Sequence, residues 1–293
     1  MPELPEVEAL SRDLAARLDG RAITAVHLAA FSALKTFDPP LSAVEDTFVE
    51  GVARHGKFLD ITAGGLHLVL HLARAGWIRW RDDVPALPPR PGGKSPLAVR
   101  IVLDEDESGS QAGLDITEAG TKKSLALYVV RSPQDVPGVA RLGPDPLDDA
   151  FTVEVLQKIL TEAGRSQIKG VLRHQGTIAG IGNAYSDELL HAARMSPFKP
   201  ANSLDSDEVE VLYAAIRDVL SAAVARAEGV AMSELKGEKK SNLAVHGKTG
   251  KPCPVCGDVV REVSFADSSL QYCATCQTDG KPLADRRTSK FLK

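Results

Sequence analysis

Apolar residues at Val7, Leu10, Leu14 and Leu18 fall on one face of a 3.6-residue repeat, and that spacing predicts an amphipathic helix near the start of the chain. Pro5 suits its first turn, where a missing N–H would have had no partner, and Gly20 marks its end. The texture then becomes strand-like, with runs rich in branched and aliphatic residues at 22–28, 57–62, 66–72, 97–103 and 125–130. In the run 66–72, Leu66, Leu68, Leu70 and Leu72 alternate with other residues. That alternation predicts one buried face and puts His67 and His71 together on the other as ordinary sheet polarity. Two stretches rich in Pro and Gly interrupt: 86–96 reads as a long surface loop and 132–149 as a linker between domains. Beyond the linker the period is helical, with helices expected near 153–162, 166–174, 184–194 and 205–228.

The pattern therefore predicts an α+β chain in parts. A leading helix and strands fill 1–131, a linker 132–150, a helical domain 151–246 and a cysteine-bearing segment 247–293. A length of 293 residues allows a sizeable core in each of two domains. No window approaches the roughly 18 uncharged apolar residues of a membrane span, and the N-terminus is acidic where a secretory signal would be basic. A cytoplasmic, monomeric protein without a membrane partner is expected. The net charge of -4 argues weakly against a polyanionic partner. Its distribution argues the other way: from Glu234 to the end there are 11 Lys and Arg against 7 Asp and Glu, and the remainder carries 24 against 32. A basic tail on an acidic body suits either a solvated face or an end that meets a polyanion.

Candidate chemistry lies at the two ends. All four cysteines fall in the tail, as Cys253-Pro-Val-Cys256 and, 16 residues on, Cys273-Ala-Thr-Cys276. Two such knuckles let four thiolates close a tetrahedron around one structural Zn²⁺, with no coordination position open for catalysis. At the other end, "MPELPEVE" places Pro2 directly after the initiator. If Met1 is removed, the amine of Pro2 is about a tenth neutral at pH 7, because terminal amines have a pKa near 7.7–8.0. A neutral secondary amine is a nucleophile toward an aldehyde-level carbon, and the iminium it forms keeps its charge and draws electrons toward elimination. Glu3 beside it suits proton transfer. From this stretch alone "PELPE" reads first as a helix entry, ahead of a nucleophile, with Pro5 in the first turn and Glu6 and Glu8 favouring the dipole.

Four stretches taken together, "MPELPEVE", "HGKFL" at 55–59, "AGIGNAYSDELL" at 179–190 and "LAVHGKTGKPCPVCG" at 243–257, resemble the formamidopyrimidine-DNA glycosylase and endonuclease VIII family of base-excision repair enzymes, nearly end to end. The resemblance implies an N-terminal β-sandwich with a leading helix, a helical domain with a helix-two-turns-helix element, and a C-terminal zinc-finger β-hairpin. It implies that Pro2 attacks C1′ of a damaged nucleotide and that β,δ-elimination cuts the strand. Glu3 would be general acid and base, Glu6 a supporting carboxylate, and Lys57 a phosphate contact near the lesion. Asn183 would cap the second helix of the helix-two-turns-helix and hold a phosphate of double-stranded DNA.

Three stretches depart from the family. The turn that usually carries a Met to fill the void of a flipped-out base is here Ala73-Arg74-Ala75-Gly76, so Arg74 would occupy that void. The loop that usually supplies an Arg and a Phe wedge has 119–124 as its nearest counterpart, with Lys122 and no aromatic. The finger-tip arginine is replaced by Ser268, which leaves Arg261, Lys248 or Lys251 to substitute. These departures concern base reading, so abasic-site lyase activity is expected ahead of 8-oxoguanine excision. Two other readings stay open: a non-excising binder of damaged DNA with the same fold, and an unrelated zinc-ribbon protein of transcription or RNA processing.

Overall fold

The computed structural model describes residues 1–92, 95–106, 109–266 and 268–285. Parts of the expected 86–96 loop, the finger tip beside Ser268 and the last residues of the 247–293 segment lie outside them. Helix α1 (Leu4–Leu18) opens the chain and its apolar stripe is fully covered, with Leu4, Leu10 and Leu14 at 0% exposure. Eight strands follow: β1 (Ala22–Leu28), β2 (Thr47–His55), β3 (Phe58–Ala63), β4 (Leu66–His71), β5 (Gly76–Arg81), β6 (Leu97–Glu105), β7 (Gln111–Glu118) and β8 (Ala126–Val130). They pair antiparallel in the order β5-β7-β6-β1-β2-β3-β4-β8. At β1–β2 the ladder narrows to two residue pairs, Ala22 with Phe48 and Ile23 with Thr47, and there it folds over into a β-sandwich. Leu59, Ile61, Leu68, Leu70, Val99, Ile101, Leu114 and Ile116 fill the interior with Val7, Leu10, Leu14 and Leu18 of α1. Full burial of each such side chain favours folding by about 1.5–3 kcal/mol, so the helix is pinned by its whole apolar face.

Three of these strands escape the hydrophobic pattern for identifiable reasons. β2 is half exposed and carries a register shift between Val49 and Gly51. β5 begins directly after a turn with no alternation to announce it. β7 buries Asp115, whose carboxylate accepts from Arg100 Nε at 2.7 Å and Arg81 Nε at 2.8 Å. It also holds Gly113, where a Cβ would fall 2.4 Å from the Ile101 carbonyl oxygen. The second face of β4 is less polar than its histidines suggest, because Val69 between them is fully buried. Part of that face is covered by residues expected as linker: a Cβ on Gly138 would lie 2.5 Å from Phe58 Cζ.

The chain divides into two compact units, Met1–Arg141 with Ala227–Lys236, and Leu142–Arg226 with Gly237–Lys293. The first boundary falls inside the expected 132–150 linker. Residues 227–236, expected in the helical domain, belong instead with the sandwich, where Trp77 Nε1 donates to the Met232 carbonyl at 2.9 Å and Lys236 Nζ stands 4.4 Å from the Trp77 ring centre. The second unit holds α2 (Val153–Glu162), α3 (Ile168–Arg173), α4 (Asn183–Ala192) and most of α5 (Ser206–Ala227) and α6 (Leu235–Asn242). It ends in the hairpin β9 (Val260–Ser264) and β10 (Ser269–Cys273) and the single turn α7 (Ala274–Gln277). Among the described residues no helix is long and apolar enough to cross a membrane.

Candidate active site and metal centre

Glu3 is the extended N-cap of α1, and its N–H donates to the Glu6 carboxylate at 2.8 Å. Glu6 thereby closes the first turn from inside, and Pro5 sits where no N–H is needed. Pro2 is buried, Glu3 and Glu6 are each 2% exposed, and Met1 stands half exposed. A terminus held in this way does not fray, so the ring of Pro2 is as fixed as the helix behind it. While Met1 is attached the Pro2 nitrogen is an amide and has no basic lone pair.

Lys57 lies in the two-residue turn between β2 and β3, closed by the pair His55 and Phe58, with Gly56 at φ +56°. It is buried. Arg54 joins this turn to the leading helix: its Nε donates to Glu8 at 2.7 Å and its NH1 to the Gly56 carbonyl at 3.2 Å. Burial opposes ionisation of Glu8, but the hydrogen bonds and charges of Arg54 and Arg12 outweigh it and hold the carboxyl below its ordinary pKa. His71 stands directly across the strands from Phe58, with ring centres 4.7 Å apart. Burial first and the Lys57 charge second lower its pKa to about 4, so at pH 7 it is a neutral imidazole beside a lysine. By sequence pattern His71 is ordinary sheet polarity; only the strand register brings it to Lys57.

Arg74 and Lys122 are both exposed in turns. The Arg74 turn is tight, with Ala73 at φ +52° and Gly76 N–H donating to the Leu72 carbonyl at 2.8 Å. The Lys122 loop is held at its base by buried Glu118, which accepts from the N–H groups of Ser124 and Leu125 at 2.7 and 3.0 Å.

In the second unit the four cysteine sulfurs lie within 4.8 Å of one another, with Cys253 to Cys276 at 3.9 Å and Cys256 to Cys273 at 3.4 Å. Zn–S bonds of about 2.3 Å in a tetrahedron require sulfurs about 3.8 Å apart, so the four thiols fit and hold one structural zinc ion. Burial and neighbouring thiols push Cys276 far up, which is the state of a cluster that needs a cation to ionise fully. His191 Nε2, 3.2 Å from Cys253 Sγ, orients that ligand from α4.

Asn183 is not the helix cap that the sequence reading expected. Gly182 occupies the N-cap and Asn183 is the first residue of α4. Its Nδ2 donates to the Ser269 carbonyl at 2.8 Å and its Oδ1 has no partner, so its amide is held by the finger hairpin. Arg261 is half-buried on β9 with its Nε unpartnered, and Lys248 is half-buried in the preceding loop. A network that sequence reasoning missed supports Asn183. Lys169 Nζ donates to Asp187 at 2.6 Å, to Ser186 Oγ at 2.7 Å and to the Asn183 carbonyl at 3.2 Å. Asp187, fully buried, also meets His246 Nδ1 at 2.7 Å and the Gln271 N–H at 3.1 Å. Glu188 accepts the N–H groups of Ala244, Val245 and His246, although burial keeps its pKa raised. Adjacent buried carboxylates tie α4 to the zinc hairpin. Their one sequence signal is two acids in a helix turn otherwise lined with buried residues.

Comparison with known proteins gives the same picture over the whole chain. Residues 1–116 match the formamidopyrimidine-DNA glycosylase N-terminal domain, 142–234 the formamidopyrimidine-DNA glycosylase H2TH domain, and 250–278 the zinc finger found in FPG and IleRS. An uncharacterized formamidopyrimidine-DNA glycosylase-like protein of Mycobacterium tuberculosis is 56% identical over 152 residues, which is 52% of this chain and 94% of that protein. The formamidopyrimidine-DNA glycosylase of Symbiobacterium thermophilum is 35% identical over 98% of this chain and 93% of its own. Among solved structures, the Lactococcus lactis formamidopyrimidine-DNA glycosylase non-covalently bound to DNA containing an abasic site superposes with a TM-score of 0.79. It is 25% identical and covers 94% of this chain and 99% of its own.

Proposed function

The chain belongs to the formamidopyrimidine-DNA glycosylase family, and from that premise we propose that it is a base-excision repair glycosylase that also cleaves DNA at abasic sites, with Pro2 as the nucleophile. The observation that carries this reading is the buried, capped first turn of α1, which fixes Pro2 and Glu3, with Arg54 linking that helix to the Lys57 turn. After removal of Met1 the Pro2 nitrogen attacks C1′, and the N-glycosidic bond breaks with its electron pair leaving on the base, which takes up a proton. The amine gives up its proton, the C1′–O4′ bond opens with its electron pair taken by O4′, which is protonated, and the iminium so formed acidifies C2′. Loss of a proton there expels the 3′ phosphate, and a second elimination expels the 5′ phosphate. Glu3 carries protons between these steps, and Lys57 and Asn183 hold phosphates of double-stranded DNA. The zinc ion keeps the finger hairpin in shape and takes no part in the chemistry.

Borohydride reduction in the presence of an abasic oligonucleotide tests this directly. Protein verified by intact mass to lack Met1 is expected to give a covalent adduct at Pro2, and Pro2→Gly is expected to lose excision while still binding. Absence of an adduct with fully processed protein overturns the mechanism. A non-excising DNA binder of the same fold is the second reading, motivated by Ser268 at the finger tip and the missing wedge aromatic. Rapid nicking of the abasic strand excludes it.

A further inference from the structure

Three residues on the outer face of β2, β3 and β4 form a cluster that the proposed chemistry does not use. Asp60, 2% exposed, accepts from His55 Nε2 at 3.0 Å and from His67 Nδ1 at 3.0 and 3.1 Å. The sheet register explains how they meet. His55 pairs with Phe58, and Asp60 follows Phe58 by two residues on the same face of β3; Thr62, two further on, pairs with His67. Asp60 is thus diagonal to a histidine on each neighbouring strand. The acceptor fixes both tautomers, with the proton on Nε2 of His55 and on Nδ1 of His67. Thr62 Oγ1 closes the far end, 3.4 Å from His67 Nδ1.

The near end of this cluster is the turn that carries Lys57. His55 is the last residue of β2, separated from Lys57 by Gly56 alone, whose positive φ gives the turn no side chain of its own to lock it. Arg54 and His55 point to opposite faces of the sheet. Arg54 ties the turn to Glu8 and to the Gly56 carbonyl on one side, and His55 ties it to Asp60 on the other. We propose that Asp60 is a positioning residue for Lys57: bonded to His55 and braced by His67, it fixes the β2–β3 turn so that the Lys57 ammonium meets a DNA phosphate without first being ordered. The inference rests on the reading of Lys57 as a phosphate contact. A buried carboxylate with two imidazole donors is costly to assemble, and its placement under this turn gives it a use beyond holding the sheet.

The experiment is a double-mutant cycle between Asp60→Asn and Lys57→Met, read as the affinity for abasic-analogue duplex DNA against salt concentration, with thermal midpoints recorded for each variant. Lys57→Met is expected to weaken binding by about tenfold to a hundredfold and to reduce the slope of log affinity against log salt by about 0.9, the signature of one lost phosphate contact. Asp60→Asn is expected to weaken binding by about threefold or more and to lower the same slope, and the double variant to bind no worse than Lys57→Met. A merely structural role for Asp60 would move the thermal midpoint and leave the slope alone. Should Asp60→Asn fail to fold, His55→Ala carries the same cycle, and His55→Gln, which keeps a donor toward Asp60, is expected to restore the slope. Additive losses or an unchanged slope in a folded Asp60 or His55 variant overturn the proposal. A normal slope in Lys57→Met would instead remove Lys57 from the phosphate contacts, and the proposal with it.

Discussion

Acid should act on this protein through His71, and the size of the effect follows from its surroundings. The imidazole pKa is lowered from 6.5 to about 4, chiefly by burial and secondarily by Lys57. Each unit of difference between folded and unfolded states is worth about 1.4 kcal/mol, so the native state gives up about 3 kcal/mol once this ring must carry a proton. Above pH 6.5 the ring is neutral in both states and adds no slope. Between 6.5 and 4 the unfolded chain binds a proton that the folded chain refuses, so stability falls as pH falls, and below 4 the whole amount has been lost. Urea midpoints of the wild type and His71→Gln at pH 7 and pH 4.5 isolate this contribution from His55 and His67, and proton NMR of the ring reports the folded pKa directly. Because burial is the larger cause, Lys57→Met is expected to raise that pKa without returning it to 6.5. A His71 resonance titrating near 6.5 in the folded protein, or identical pH dependence in wild type and His71→Gln, would refute the reasoning.

Two further outcomes test the second unit. Removing zinc with a chelator is expected to release one ion per chain and unfold the β9–β10 hairpin; abasic-DNA binding should be lost with it and return on adding zinc. Metal analysis, circular dichroism and gel shift read this, and full binding by zinc-free protein would show the hairpin to be self-supporting. Lys169→Met leaves Asp187 fully buried without its ammonium partner and is expected to cost about 3–5 kcal/mol. A denaturation midpoint within experimental error of wild type would mean that His246 and the Gln271 N–H satisfy that carboxylate unaided.

What could be read in the sequence, and what could not, divides along the range of the forces involved. Helix α1, five strands, helices α2 to α5 and the zinc ligands are written in local periodicity or spacing. β2, β5 and β7 are not, because a half-exposed strand with a bulge, a strand born from a turn, and a strand burying Asp115 and Gly113 all break the alternation. Helix α6 escapes the pattern for a related reason: Lys236, Glu238, Lys239 and Lys240 leave no continuous apolar stripe. Return of residues 227–236 to the sandwich depends on Trp77, 155 residues earlier in the chain. The candidate site shows the same limit. Pro2, Glu3 and the cysteines announce themselves by type and position. His71 and Asp60 matter only through cross-strand register, and the Asn183 assignment slipped by one residue because Gly182, with no side chain, takes the N-cap.

The departures from the family and the residues of the proposed chemistry occupy different kinds of position, and this has a physical consequence. Glu3 is the N-cap of a buried helix and Pro2 directly precedes it. Lys57 lies in a turn tied on both faces of the sheet, and the cysteines stand within 4.8 Å of one another. A substitution at any of these disturbs buried, hydrogen-bonded or metal-bound structure, which is where large stability losses arise. Arg74 and Lys122 lie instead exposed in turns that join consecutive strands, where a side chain can change at a cost usually within about 0.5 kcal/mol, and half-buried Ser268 precedes β10 at the end of such a turn. The fold therefore resists variation less at the positions that depart from the family than at the residues of the proposed chemistry. Under the proposed function, the residues assigned to the chemistry are the ones whose replacement disturbs buried or bonded structure, and those that depart from the family are not.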